Sequence, residues 1–271
     1  MPNRIHFISG LPRSGSTLLC ALLRQNPRFT AGMTSPVAQL CGAVHRLSCG
    51  GEFNVFFDDK KRAAMLHGIF DSYYDYPQAS QVIFDTNRSW TGKAPLLKTL
   101  YPSSRIICCV RDTGWIIDSI ERMLAKNPLE LSRIFNFQPG VSVYSRVETL
   151  MNSDNGLIGI AWSNLREAWF GGEAKRLIIV PYEHLAREPE RTLINLYDEL
   201  DEPQFAHDLN NVVYDAADYD ALLGMPGLHK VRQKVEYRQI KPVIPPDLFT
   251  KFAHTQFWDK PEMNVHGVRI L

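Results

Sequence analysis

No run of eighteen or more apolar residues occurs in this 271-residue sequence, so nothing in it reads as a membrane span. An excess of one charge is missing too: 30 lysines and arginines face 29 aspartates and glutamates, for a formal net charge of +1. That balance argues against nucleic acid as a partner, and any phosphate must be held by a local cluster rather than by the whole field. Cysteine is sparse and odd in number. Cys20, Cys41, Cys49, Cys108 and Cys109 show neither metal-ligand spacing nor a disulfide framework, and Cys108 and Cys109 sit in an apolar run where thiols pack as small hydrophobes. The expectation is a reduced, cytoplasmic protein with no metal and no membrane partner. The apolar segment before Gly10 is too short for a signal-peptide core and lacks a small-residue cleavage site.

What is present is alternation. Four β-rich runs, Ile5–Ser9, Gln81–Asp85, Arg105–Val110 and Leu177–Val180, are nearly continuous in apolar residues, as suits strands buried on both faces. Between them, Thr17–Gln25, Lys60–Tyr74, Trp115–Lys126, Leu157–Phe170 and Glu190–Leu200 carry helical periodicity. Strands alternating with helices predict an α/β fold: a P-loop-like, doubly wound parallel sheet flanked by helices, one domain over residues 1–271. Pro203–Pro246 reads as irregular loops over one sheet edge, and Pro128–Ser153 as a long mobile insertion.

The first run leads into Gly10-Leu11-Pro12-Arg13-Ser14-Gly15-Ser16-Thr17 and then a leucine-rich helix. Strand, glycine loop and helix in this order make a phosphate cradle, because backbone N–H groups of the turn join the helix N-terminus. A nucleoside-triphosphatase loop would place lysine at position 16 to reach the β- and γ-phosphates. Here Ser16 stands there and the cation is Arg13, an arrangement suited to a single 5′-phosphate-type group. The plainer reading is a glycine-serine turn capped by Ser14 or Ser16. A second signal follows the third run: Arg111 ends a strand, Asp112 can cap the next helix, and Ser119 lies eight residues beyond the arginine. An arginine fork with a hydroxyl can hold another phosphate, or Arg111 and Asp112 can form a surface pair.

Ser9–Pro27 resembles the 5′-phosphosulfate-binding loop of the sulfotransferases that use PAPS (3′-phosphoadenosine 5′-phosphosulfate), especially the protein-tyrosine sulfotransferase branch and its bacterial relatives. The resemblance implies PAPS as donor, with PAP (3′-phosphoadenosine 5′-phosphate) as product, held by Arg13, Ser14, Gly15, Ser16 and Thr17. It also implies that Arg111 and Ser119 take the 3′-phosphate. Ile178–Pro189 is similar to the family's strand followed by Tyr-Glu-Asp-Leu, which gives Tyr182 a contact with adenine. The basic stretch Leu228–Pro242 resembles a segment that closes over the nucleotide, and by that likeness Lys241 reaches the phosphates with help from Lys230 or Arg232. The implied partner is a small molecule or peptide bearing a hydroxyl group, with phenolic or tyrosyl hydroxyls expected because a phenol ionises more readily than an alcohol.

The catalytic residues follow less directly. Transfer needs cations at the leaving oxygen and a base for the acceptor proton. Arg13 is one cation, and Arg88 is read as the other because Thr86 stands where the family carries lysine; Arg88 could instead pair with Asp85. The glutamate that serves the tyrosyl branch has no counterpart, since Met33 occupies its place. Asp85 and His229 are the expected bases, with His45 and Glu52 next. A P-loop nucleotide kinase or NTPase, and a non-catalytic nucleotide-binding module of the same fold, are the competing readings.

Overall fold

Five-residue apolar strands sort their side chains alternately to two sides, and both sides here are covered. The computed structural model describes residues 4–74, 81–129, 131–135 and 142–271. Its six strands are β1 (Arg4–Gly10), β2 (Phe29–Ala31), β3 (Val82–Thr86), β4 (Ile106–Val110), β5 (Leu177–Pro181) and β6 (Arg269–Ile270), in the spatial order β2-β3-β1-β4-β5-β6. Every pairing is parallel, with Phe7 opposite Ile106, Ile8 opposite Thr86, and Cys108 opposite Ile179. The expected doubly wound parallel sheet is what forms.

Eleven α-helices occur among the described residues: α1 (Ser16–Leu23), α2 (Val37–Cys49), α3 (Asp59–Tyr74), α4 (Ala94–Leu100), α5 (Thr113–Lys126), α6 (Val143–Met151), α7 (Leu157–Phe170), α8 (Tyr182–Arg187), α9 (Pro189–Leu200), α10 (Ala217–Leu222) and α11 (Pro246–Phe252). Phe7, Ile106, Cys108 and Ile179 point to the face covered by α2–α7 and α11, where they meet Phe70, Trp90, Ile116, Leu165 and Trp169. Ile8, Ile107, Cys109 and Ile178 point to the opposite face, under α1, α8 and α9, where they meet Leu19, Leu22, Leu185 and Leu196. Arg176 is buried without a carboxylate. It donates to the carbonyls of Ala94, Leu97, Tyr101 and Ser104, satisfying the end of α4 as an arginine fork can.

Several expectations are corrected. The sheet has two further strands, β2 and β6, each too short to show alternation in sequence. The supposed insertion Pro128–Ser153 contains α6, which opens with a Ser142–Ser145 capping box and buries Val147 and Leu150 in the core; its residues 130 and 136–141 lie outside the described residues. Pro203–Pro246 is largely irregular as expected, interrupted by α10. No described helix is long and apolar enough to cross a membrane.

The strand order decides where a ligand can sit. β1 leads into α1 on one face, whereas its neighbour β4 leads into α5 on the other. Two adjacent strands whose outgoing connections diverge leave a crevice at their carboxyl ends, the position where open α/β sheets bind ligands.

Candidate active site at the carboxyl ends of the first and fourth strands

The glycine loop takes three left-handed turns in six residues: Gly10 (φ 103°), Arg13 (φ 57°) and Gly15 (φ 86°). Gly10 is obligatory, since a Cβ there would lie 2.2 Å from the Cys109 carbonyl oxygen on β4. Arg13 holds a conformation that costs a non-glycine residue about 1–2 kcal/mol, and such outliers gather at ligand sites. Gly15 caps α1, and among the described residues no side chain bonds to that helix's first turn; Ser14 instead donates to the Pro12 carbonyl at 3.2 Å. The self-capped serine turn is therefore not what forms. The first-turn N–H groups of α1 carry the partial positive charge of a helix start with no acidic residue to neutralise it.

The two phosphate signals, about a hundred residues apart in sequence, converge. Arg13 Nε donates to Ser119 Oγ on α5 at 3.2 Å, and Arg111 Nη1 reaches the Arg13 carbonyl at 3.5 Å. The Arg111 guanidinium lies 4.4 Å from the centre of the Tyr182 ring, and that ring also covers Gly15, with Cδ2 3.0 Å from where a Cβ would stand. Arg111 Nε is buried and makes no hydrogen bond; Glu183 Oε1 is 3.9 Å away. Glu183 itself has its pKa raised by burial, with Asp112 and Asp259 adding to the effect. Burial, and then the neighbouring charge of Arg111, push Arg13 down to about 10, which leaves it a cation crowded against Arg111. Ser16 and Thr17 are half-buried at the start of α1. Asp112 caps α5 through Trp115 N–H (3.1 Å) and also accepts from His254 N–H and Gln256 Nε2 (2.8 Å each), so it does not form the surface pair with Arg111.

The candidate bases separate sharply. Asp85 is wholly buried at the end of β3, and its carboxylate accepts from Ser35 Oγ, Tyr74 OH and Trp90 Nε1, each at 2.6 Å. Three donors occupy it, and Arg88 is not among them. His45 and Glu52 are exposed on α2 and the turn after it. His229 follows α10, and Arg13 Nη1 bonds to the carbonyl of its neighbour Leu228. Asp220 of α10, only 2% exposed, receives His229 Nδ1 at 2.5 Å and His229 N–H at 2.8 Å. The Tyr219 ring stands edge-on to the imidazole, 5.6 Å between centres. Burial lowers the pKa of His229; Asp220 opposes that shift, while the charges of Arg13 and Arg88 add to it. His229 thus stands among cations that disfavour its protonated form, with Asp220 as the one group favouring it.

Arg88 begins a 3-10 turn, Arg88–Lys93, that leaves the end of β3, and its carbonyl is pinned by Ser9 Oγ at 3.0 Å. Its side chain is exposed; protein packed around it lowers its pKa, yet a guanidinium stays charged at any physiological pH. Lys230 and Lys241 are exposed. The backbone near Lys241 is tied to α5 through Arg122 Nη2 (2.7 Å to the Lys241 carbonyl) and Asp118 Oδ1 (2.5 Å from Val243 N–H), and no bond joins either lysine's amine to the glycine loop among the described residues. Asp220 and Glu183 were not singled out from sequence. Glu183 lies within the Tyr-Glu-His-Leu stretch that marked Tyr182, whereas Asp220 stands in a segment with no periodicity to flag it.

Comparison with known proteins places this arrangement. A sequence profile described as the sulfotransferase family matches residues 6–207. The chain belongs to that family. Among solved structures, this chain is similar to the sulfotransferase domain from the curacin biosynthetic pathway, at 18% identity and a TM-score of 0.58, covering 93% of this chain and 96% of that one. A sulfotransferase from Alicyclobacillus acidocaldarius aligns at 14% identity and a TM-score of 0.51, over 82% of this chain and 90% of the other. At these identities the likeness shows the fold alone. No curated protein matches this chain significantly in sequence.

Proposed function

We propose that the chain transfers the sulfuryl group of PAPS to an acceptor hydroxyl, preferably phenolic or tyrosyl, in the cytoplasm. The observation that carries this reading is the convergence at one crevice of a cationic glycine loop and a second cation-hydroxyl pair, bridged by the Arg13–Ser119 bond. A nucleotide phosphorylated at both ends needs two such anion sites close together. Fit is supported by the orphaned Arg111 Nε and by the helix start left without an acidic residue. All five cysteines are free thiols, in keeping with a reducing compartment.

The chemistry that PAPS supplies when bound is an activated sulfuryl group on a phosphate leaving group, and its transfer resembles phosphoryl transfer in needing positioning and charge stabilisation above all. The protein's own groups meet those needs. Arg111, Ser119 and the N–H groups of the glycine loop hold the anion, and the Tyr182 face offers a stacking surface beside it. Arg13 and Arg88 offset the negative charge that collects on the leaving oxygen as the S–O bond to phosphate breaks. His229 Nε2 takes the proton of the acceptor hydroxyl while that oxygen bonds to sulfur, and later yields it to solvent. Asp85, its oxygens already occupied, holds Ser35, Tyr74 and Trp90 together and has no part in proton transfer. Lys230 and Lys241 remain assigned to the nucleotide, from exposed positions.

Calorimetry without Mg²⁺ tests the donor: PAP should bind roughly 10–100-fold more tightly than AMP, the worth of one charge-assisted phosphate contact. Equal affinity for PAP and AMP, or tighter binding of ATP, removes the PAPS reading. Transfer of labelled sulfate from PAPS to a simple phenol tests the reaction, and efficient sulfation of sugars with phenols inert overturns the acceptor preference alone.

A further inference from the structure

The Asp220 carboxylate has both oxygens committed to one residue: Oδ1 to His229 Nδ1 at 2.5 Å and Oδ2 to His229 N–H at 2.8 Å. A second tie closes the same turn, with Met225 N–H donating to the Asp220 carbonyl at 3.0 Å. Helix α10, the turn after it and His229 therefore form one small unit with the carboxylate at its centre. On the far side, Arg13 bonds to the Leu228 carbonyl and so clasps this unit to the glycine loop. A carboxylate only accepts, so the nitrogen facing it must carry a proton, and the neutral ring then has its lone pair on Nε2.

We propose that Asp220 is a positioning residue for the transfer reaction, holding His229 in the Nδ1–H tautomer so that Nε2 can take the acceptor's proton. This rests on His229 being the base in the reading above, and it adds a residue on which that base depends. Asparagine is the informative replacement. Its side chain has one acceptor oxygen, and the His229 backbone N–H and ring Nδ1 compete for it. If the oxygen serves the backbone, the amide NH₂ turns to Nδ1 and drives the proton onto Nε2, where it blocks proton acceptance.

The charged and titratable groups around His229 set the expected pH behaviour. Asp220 and Tyr219 face it from α10, Arg13 from the glycine loop and Arg88 from the turn after β3. Asp220 alone opposes the lowering caused by burial and the two arginines. The rising limb of the wild-type pH–rate profile should therefore lie below the usual histidine range, and further to acid in Asp220→Asn.

Two measurements decide the proposal. In wild-type protein carrying ¹⁵N-histidine and bound to PAP, the His229 ring at pH 7.5, assigned through His229→Gln, should show a protonated Nδ1 and a bare Nε2. In Asp220→Asn, kcat should fall about 10²–10⁴-fold while KM for PAPS and the affinity for PAP stay within twofold. A wild-type ring protonated at Nε2 overturns the proposal whatever the activity of Asp220→Asn. So does an Asp220→Asn enzyme with wild-type kcat when His229→Ala has lost activity. Absence of PAP binding to the wild type would instead strike the donor reading.

Discussion

Two buried aspartates flank this crevice, and they do opposite things. Asp85 ends β3 and spends its carboxylate on three donors from three segments, Ser35, Tyr74 and Trp90. Asp220 sits on α10 and gives both oxygens to one histidine. The first ties α3, the loop after β2 and the turn after β3 into the core, which in the proposed reading makes it structural. The second leaves an imidazole nitrogen available at the crevice. Burial alone does not mark a carboxylate for chemistry; what its oxygens are bonded to decides.

The largest expected effects test that division directly. His229→Ala should lower kcat about 10²–10⁴-fold with PAP binding unchanged. Asp85→Ala should do the reverse: it leaves three donors without an acceptor and should cost on the order of 3–5 kcal/mol, read from urea unfolding, while activity per folded molecule persists. An Asp85→Ala enzyme that folds normally but does not turn over would exchange the two roles.

A smaller effect separates binding from chemistry among the cations. Arg111→Ala removes the guanidinium stacked on Tyr182 and should weaken PAP binding about 10–100-fold by calorimetry. Arg88→Ala should leave that affinity alone and lower kcat at saturating PAPS, because Arg88 is set with His229 rather than with Ser119. Full turnover in Arg88→Ala would leave Arg13 as the sole cation at the leaving oxygen.

His6 sharpens the same lesson at the far end of the sheet. It is buried on β1, accepts from Arg105 N–H at 3.1 Å, stacks on Phe84, and has its pKa lowered to about 3 by burial first and then by Arg4 and Arg105. The folded value lies below the unfolded one, so the unfolded chain binds the extra proton. The stability conferred by a neutral His6 is therefore complete above pH 6.5 and lost as pH falls from 6.5 toward 3, at no more than ~1.4 kcal/mol per pH unit. Urea midpoints measured across that range should fall more gently in His6→Gln, and an unchanged slope would mean other groups govern the acid limb.

Much of the proposed donor half was legible in the chain because a phosphate cradle is local chemistry. Gly10, Arg13 and Gly15 lie within one loop whose spacing marks a phosphate cradle, whereas Arg111 and Ser119 are open to a surface-pair reading and take a phosphate role only from the resemblance to the sulfotransferases. The four apolar runs likewise announced a parallel sheet, since a strand buried on both faces must be apolar throughout. The two-residue β6 and three-residue β2 carry too little pattern to be seen, and α6 was hidden because a nine-residue helix buries only Val147 and Leu150.

The acceptor half is different in kind. His229 was visible only as one candidate among several, and Asp220 not at all, because a hydrogen bond spanning nine residues of irregular chain leaves no period. That Arg13 meets Ser119, that Asp85 is saturated, and that Asp220 holds His229 are facts of the folded molecule. Local composition determined which segments could bind phosphate and which could be strands. Which donors reach each carboxylate was decided by folding: Asp85 draws its three from an irregular loop, a helix end and a turn, and Asp220 draws both of its own from His229, contacts that no sequence period announces.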